Sequence, residues 1–232
     1  MKEIRRSEDR GFADHGWLRS YHTFSFADYY DEEHVEFGPL RVINQDLVQP
    51  GGGFGAHSHR DMEIITYVLE GALEHKDSMG NGSIIRPGDV QRMSAGTGVR
   101  HSEFNASQSE QVYFLQIWIQ PSRQAIPPSY EERHFDVPER KGRLRLIASP
   151  DGHKESVLIH QDAKVFAGLF DGDENASLSV TPGRRVYVHV ARGEITASGL
   201  ALREGDGLKL QQERELTLAQ GKGAEVLVFD LP

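Results

Sequence analysis

The segment Gly51-Gly52-Gly53-Phe54-Gly55-Ala56-His57-Ser58-His59-Arg60-Asp61-Met62-Glu63-Ile64-Ile65-Thr66-Tyr67-Val68-Leu69-Glu70-Gly71 sets a His-x-His pair between a glycine-rich approach and an apolar, β-branched run. Side chains two apart on a strand share a face, so His57 and His59 project together. Ile64 to Leu69, closed by Gly71, reads as a second strand ending in a turn. Further along, His101-Ser102-Glu103 repeats the spacing with an imidazole and a carboxylate. Two such strands side by side would converge three imidazoles and a carboxylate, a donor set for a divalent transition metal. Glu63 is a competing carboxylate, since by strand counting it shares the parity of His59.

Outward from this segment the chain keeps a β rhythm. Leu40-Arg41-Val42-Ile43-Asn44 and Val112 to Ile119 are strand-like runs bounded by turn residues, and helical periodicity is weak throughout. The run Gln111 to Gln120 sets Tyr113, Leu115, Ile117 and Ile119 on one face and Val112, Phe114, Gln116 and Trp118 on the other, as a barrel or sandwich wall requires. Prolines from Pro121 through Pro127-Pro128 to Pro138 resist central strands and predict a linker over 123–143. A second strand-rich segment follows. Tyr67-Val68-Leu69-Glu70-Gly71 is echoed by Val188-His189-Val190-Ala191-Arg192-Gly193, and Arg86-Pro87-Gly88-Asp89 by Arg203-Glu204-Gly205-Asp206, which predicts a duplicated barrel. Aligning Gly71 with Gly193 puts Ser179, Thr181 and Arg185 where His57, His59 and Glu63 stand. The second half therefore has no comparable ligand set.

Composition bounds the function. The chain has 232 residues, 38% of them hydrophobic and 26% charged, which suits a folded core. The formal net charge of −9 and the lack of any Lys/Arg-rich run argue against direct nucleic-acid binding. With no cysteine there are no disulfides, thiolate ligands or cysteine nucleophiles. The charged opening Met1-Lys2-Glu3-Ile4-Arg5-Arg6 has no apolar export signal, and no apolar run approaches a membrane span. A cytoplasmic monomer is expected.

The spacing Gly51-x5-His57-x-His59-x3-Glu63-x7-Gly71 resembles the first motif of the cupins, and Gly98-x2-His101-x3-Asn105 the end of their second. The run from Glu63 to Gly71 is one residue longer than the usual cupin spacing, and Gly96 replaces the usual proline. Longer blocks resemble the pirin family: His15-Gly16-Trp17-Leu18, His22-Thr23-Phe24-Ser25-Phe26-Ala27-Asp28-Tyr29-Tyr30-Asp31, His57 to Glu63 and Ser94 to Glu103. Ile159-His160-Gln161-Asp162-Ala163 is similar to bacterial members. The resemblance implies an all-β bicupin: a metal-binding barrel over 1–122, the linker, and a barrel without metal ligands over 144–232. It implies one metal held by His57, His59, His101 and Glu103, with Glu63 orienting an imidazole from behind. It also implies activity like that of the quercetin 2,3-dioxygenases, with a flavonol and O₂ as substrates. Some eukaryotic pirins are instead iron-containing cofactors of transcription regulators, which would make this chain a redox-sensing protein read by a protein partner.

Three neutral imidazoles and a carboxylate leave coordination positions open, as in a catalytic site. Fe(II) is the expected metal, and Cu, Ni, Mn, Co or Zn would suit the same donors. Glu103 is the candidate catalytic base. His15, His22 and His75 read as structural, and His189 as a core histidine. Trp17, Phe24 and Phe26 read as core rather than a substrate cage, and Asp28 to Glu33 as a solvated loop. Gly51 to Gly53 is no phosphate cradle, since no Lys-Ser/Thr or helix start follows.

Overall fold

A computed structural model describes residues 1–232 and is built almost wholly of antiparallel strands. No helix is long and apolar enough to cross a membrane. The chain divides into two compact units, Gly11–His134 with Val157–Gln161, and Met1–Arg10 with Phe135–Ser156 and Asp162–Pro232.

The first unit carries two sheets. The larger runs, in pairing order, Ser129–His134, Asp89–Ser94, Glu63–Glu70, Val112–Ile119, Leu40–Val48, Leu18–His22 and Gly11–Asp14. The smaller runs Gly53–His59, Val99–Asn105, Leu73–Asp77 and Gly82–Ile85. Leu18, Val48, Val68, Leu73, Ile85, Val112 and Phe114 fill the space within as an apolar core. The period of two decides which side chains reach it. On Val112–Ile119, Val112 and Phe114 enter that core and Gln116 turns to Glu103. The alternate residues Leu115, Ile117 and Ile119 are buried on the other face.

In the second unit Lys2–Arg5, Gly207–Gln211, Arg185–Ala197, Glu215–Leu231, Lys164–Phe170 and Arg145–Ser149 pair in that order. Arg185–Ala197 and Glu215–Leu231 are long strands of 13 and 17 residues whose pairing register shifts at Val190/Arg192, Arg192/Glu194 and Glu194/Thr196. Such shifts bend a strand so that it serves more than one wall of a barrel. Val186, Val188, Val190, Leu208, Leu216 and Val228 form the core. The duplication is visible in one turn. The Asp89 carboxylate accepts the Arg86 N–H at 2.8 Å, and the Asp206 carboxylate accepts the Arg203 N–H at 3.1 Å.

The order barrel, linker, barrel is departed from in three places. Lys2–Arg5 pairs with Gly207–Gln211 and so belongs to the second unit. Within 123–143, Ser129–His134 is a strand pairing with Asp89–Ser94, and Val137–Arg140 is a short helix. The strand falls between Pro128 and Pro138, where every residue has an N–H to donate. Val157–Gln161 returns to the first unit: the Leu158 N–H donates to Glu131 at 2.9 Å and the His160 N–H to Glu63 at 3.2 Å.

Candidate metal centre

Strand pairing builds the site. Gly53–His59 lies antiparallel to Val99–Asn105 with His57 directly opposite His101 and His59 opposite Val99. The approach depends on Gly53, where a Cβ would meet the Glu103 carbonyl at 2.4 Å. His101 and Glu103 share a face of Val99–Asn105, whose register with Leu73–Asp77 is unbroken; the extra residue of the irregular pairing lies on the opposite strand, between Phe54 and His57. The ligand atoms of His57, His59 and His101 all lie within 4.8 Å of one another. His57 Nε2 stands 3.0 Å from His101 Nε2, and His57 Nδ1 lies 2.8 Å from the Gly55 carbonyl. A carbonyl only accepts, so Nδ1 carries the proton and Nε2 offers its lone pair to the cluster.

Glu103 joins through His101. A second group, His75, His101 and Glu103, also has its ligand atoms within 4.8 Å of one another. Glu103 Oε1 accepts from Gln116 Nε2 at 2.7 Å and from Thr66 Oγ1 at 3.3 Å. Oε2 is left for another partner.

Glu63 stands elsewhere. Its Oε2 accepts from Ser94 Oγ at 2.8 Å and from the His160 N–H, so it orients no imidazole of the cluster. The chain turns between His59 and Glu63, with Asp61 at φ 48°. Parity does not carry across that turn. On Glu63–Glu70 the inward residues are Thr66, bonded to Glu103, and Val68. Odd-numbered positions face away.

Burial sets the protonation of the site. Desolvation, then the charge of His57, lowers the His59 pKa to about 4. Desolvation, then His57, His59 and His75, lowers that of His101 to about 2. Both rings are neutral at neutral pH, as ligands must be. Desolvation raises Glu103 to about 7 despite its two hydrogen bonds, with the nearby Asp46 adding to the rise.

A cavity of about 810 Å³ opens over His57, His59 and Glu103. Trp17, Phe26, Phe54, Tyr29 and Trp118 line it, with His15, His22 and Asp28. Trp118 meets His59 edge-on at 5.0 Å, and Phe26 meets Trp118 at 5.4 Å. Trp17 and Phe26, expected in the core, are thus cavity walls, whereas Phe24 is buried. Asp46 also lines the cavity; Ser20 Oγ donates to its Oδ1 at 2.5 Å, and desolvation raises its pKa to about 7. Sequence reasoning passes over Asp46, although Asn44-x-Asp46 is a polar alternation inside an apolar strand. His75 is not isolated either: buried, it lies 3.4 Å from His101, Nδ1 to Nδ1.

The donor set fits a divalent transition metal: three imidazoles converge, His57 with its lone pair directed inward, and the buried Glu103 carboxylate stands within reach of His101.

Known proteins resemble this chain over its whole length. Residues 3–119 match the family model described as Pirin, and residues 146–231 the one described as Quercetinase C-terminal cupin domain. The chain is 45% identical over 232 residues to a quercetin 2,3-dioxygenase of Escherichia coli, covering 100% of this chain and 99% of the relative. It superposes on the bacterial pirin YhhW of Escherichia coli in complex with nickel(II) with a TM-score of 0.95 at 44% identity, covering 100% of this chain and 99% of that one. A quercetin 2,3-dioxygenase of Acinetobacter baumannii shares the fold, with a TM-score of 0.79 at 22% identity over 98% of this chain and 85% of that one.

Proposed function

The chain belongs to the pirin family, and on that premise we propose that it is a metal-dependent dioxygenase cleaving flavonols such as quercetin, with His57, His59, His101 and Glu103 as the metal ligands. The observation that carries the reading is the aromatic-walled cavity, about 810 Å³, with His57 and His59 of the histidine cluster and two buried carboxylates, Glu103 and Asp46, in its lining. That volume falls within the range of about 300–1,000 Å³ that houses drug-sized ligands. Bound there, a first-row metal, Fe(II) in our reading, would supply a Lewis acid for an ionised hydroxyl and redox access to O₂.

The chain's own groups do the rest. Trp17, Phe26, Phe54 and Trp118 present ring surface to a flat, polyphenolic molecule and displace water around it. A flavonol's 3-hydroxyl is largely protonated near neutral pH, and its anion is the better ligand and reductant. Glu103, raised to about 7 by burial, holds a proton acceptor at Oε2 beside the cluster, while Gln116 and Thr66 fix its other oxygen. Asp46, anchored by Ser20, is placed to accept a second hydroxyl of the same substrate. The expected outcome is opening of the central ring with release of carbon monoxide. We place the activity in the cytoplasm and in a single chain, since every proposed ligand comes from one barrel. The regulatory reading is not favoured, because the curated relatives carry the dioxygenase name.

The test is direct. Iron-loaded protein should bleach quercetin in air with matching O₂ uptake, and removal of the metal should stop both. No metal-dependent uptake with any flavonol would defeat the reading. Metal analysis of protein purified without added metal would decide whether iron is native.

A further inference from the structure

We propose that Asp77 and His75 are positioning residues that set the ring tautomer of His101, and so determine which of its nitrogens faces the metal. The inference rests on the metal centre proposed above. Neither residue belongs to the proposed ligand set.

Topology brings them into place. His75 and Asp77 share a face of Leu73–Asp77, which pairs with Val99–Asn105 so that Asp77 lies opposite His101 and His75 opposite Glu103. Both side chains are fully buried. Tyr130 stacks on the His75 ring with centroids 5.3 Å apart, which holds its plane. The contacts then run in a line: Asp77 Oδ2 to His75 Nε2 at 3.4 Å, His75 Nδ1 to His101 Nδ1 at 3.4 Å, His101 Nε2 to His57 Nε2 at 3.0 Å, and His57 Nδ1 to the Gly55 carbonyl at 2.8 Å.

Each end of this line fixes a proton. The Gly55 carbonyl can only accept, so His57 carries its proton on Nδ1 and Nε2 is bare. At the other end Asp77 Oδ1 accepts the N–H groups of Met79 and Asn81 at 2.9 and 3.0 Å, and Oδ2 accepts the Asn81 side-chain amide at 2.9 Å. A carboxylate facing that many donors is an acceptor, so His75 donates from Nε2 and its Nδ1 is bare. His101 Nδ1 must then donate to His75, which leaves His101 Nε2 bare as well. Two lone pairs face each other across 3.0 Å with no proton between them. A cation bound to both makes that contact attractive. The reverse pattern, with a proton on His101 Nε2, would leave the facing Nδ1 atoms both bare or force a proton onto Asp77. The carboxylate–histidine–histidine line therefore orients His101 for a metal as a single carboxylate does for an ordinary ligating imidazole.

Side-chain ¹⁵N NMR of the metal-free protein reads the tautomers, and nickel(II) titration reads the affinity. Wild type should show His101 protonated at Nδ1. Asp77→Asn keeps Oδ1 for the two backbone donors but turns an NH₂ toward His75, which reverses the line. His101 should then move its proton to Nε2, and nickel(II) affinity should fall about 10–100-fold, the usual cost of losing an outer partner. His75→Leu should weaken binding similarly. His75→Gln, whose amide oxygen can accept from His101 Nδ1, should recover most of it. An unchanged tautomer and affinity in Asp77→Asn would overturn the proposal. Should that variant fail to fold, equal loss in the Leu and Gln variants would overturn it instead, since packing alone would then explain both. Wild-type protein that binds no nickel(II) yet shows the His101 Nδ1–H form would defeat the metal centre and leave the tautomer assignment standing.

Discussion

His101 in the first barrel and His189 in the second are both buried imidazoles on antiparallel strands, and burial is the chief cause of neutrality in both. Their surroundings differ. His101 has a nitrogen neighbour at each end, His75 on one side and His57 on the other. Both ring nitrogens of His189 lack a hydrogen-bond partner. Burial alone makes an imidazole neutral. Convergence with other donors, beside a cavity, is what suits His101 to the ligand role we propose. The second barrel repeats the strand and turn frame but not the convergence.

The largest expected effect tests that difference at its root. His101→Ala removes the residue common to both donor groups and should cost the protein its stoichiometric metal and its activity. His189→Ala should leave metal content unchanged. Equal losses, measured by metal analysis of the two purified variants, would erase the distinction between the barrels.

Much of that distinction is legible in the sequence because strand parity is a local property. His57-x-His59 and His101-x-Glu103 announce their shared faces, and Ser179 and Thr181 announce their absence in the second half. Parity fails where a turn intervenes, as it does between His59 and Glu63. It is equally silent about which distant strands become neighbours, so Gln116 and Thr66 as partners of Glu103 emerge only from the pairing of Val112–Ile119 with Glu63–Glu70. His75-x-Asp77 carries the same local signal as His101-x-Glu103, yet only the register with Val99–Asn105 gives it meaning. Gly96 shows the limit from the other side. A Cβ there would meet the Ile126 carbonyl at 2.0 Å, which explains why the usual cupin proline is missing, but Ile126 is thirty residues away.

A smaller effect sharpens the role of the first barrel's carboxylate. Glu103→Gln keeps size and one oxygen donor but cannot take a proton. Turnover of quercetin, normalised to bound metal, should fall about 10²–10⁴-fold, the range for loss of a general base. Equal normalised turnover would restrict Glu103 to holding metal.

Asp46→Asn should do less. The Ser20 hydrogen bond survives in the amide, and Asp46 is no proposed ligand, so metal content should hold. KM for quercetin should rise about fivefold to tenfold, the difference between a charged and a neutral hydrogen-bond acceptor. With the Asp46 pKa raised to about 7, the carboxylate is charged above that pH and protonated below it. The gap between variant and wild type should therefore widen above pH 7 and close below it. A KM unchanged at pH 8 would remove Asp46 from substrate binding.

The remaining contrast is one of stability rather than activity, and it belongs to the second barrel. Desolvation, then the charge of Arg10, lowers the His189 pKa to about 3 from an unfolded value near 6.5. Between those values the unfolded chain binds a proton that the folded chain does not. Stability therefore falls as pH falls through this window, at a ceiling of about 1.4 kcal/mol per pH unit for one proton. His189→Leu replaces the unpartnered imidazole with an apolar side chain and abolishes that proton difference. Urea unfolding of metal-free protein should find the variant at least as stable as wild type at pH 7 and increasingly more stable toward pH 4. The neutral imidazoles His59 and His101 are present in both proteins and cancel in the comparison. Parallel pH profiles would mean that His189 gains a partner in solution, and the contrast with His101 would then lie in the identity of that partner rather than in its absence.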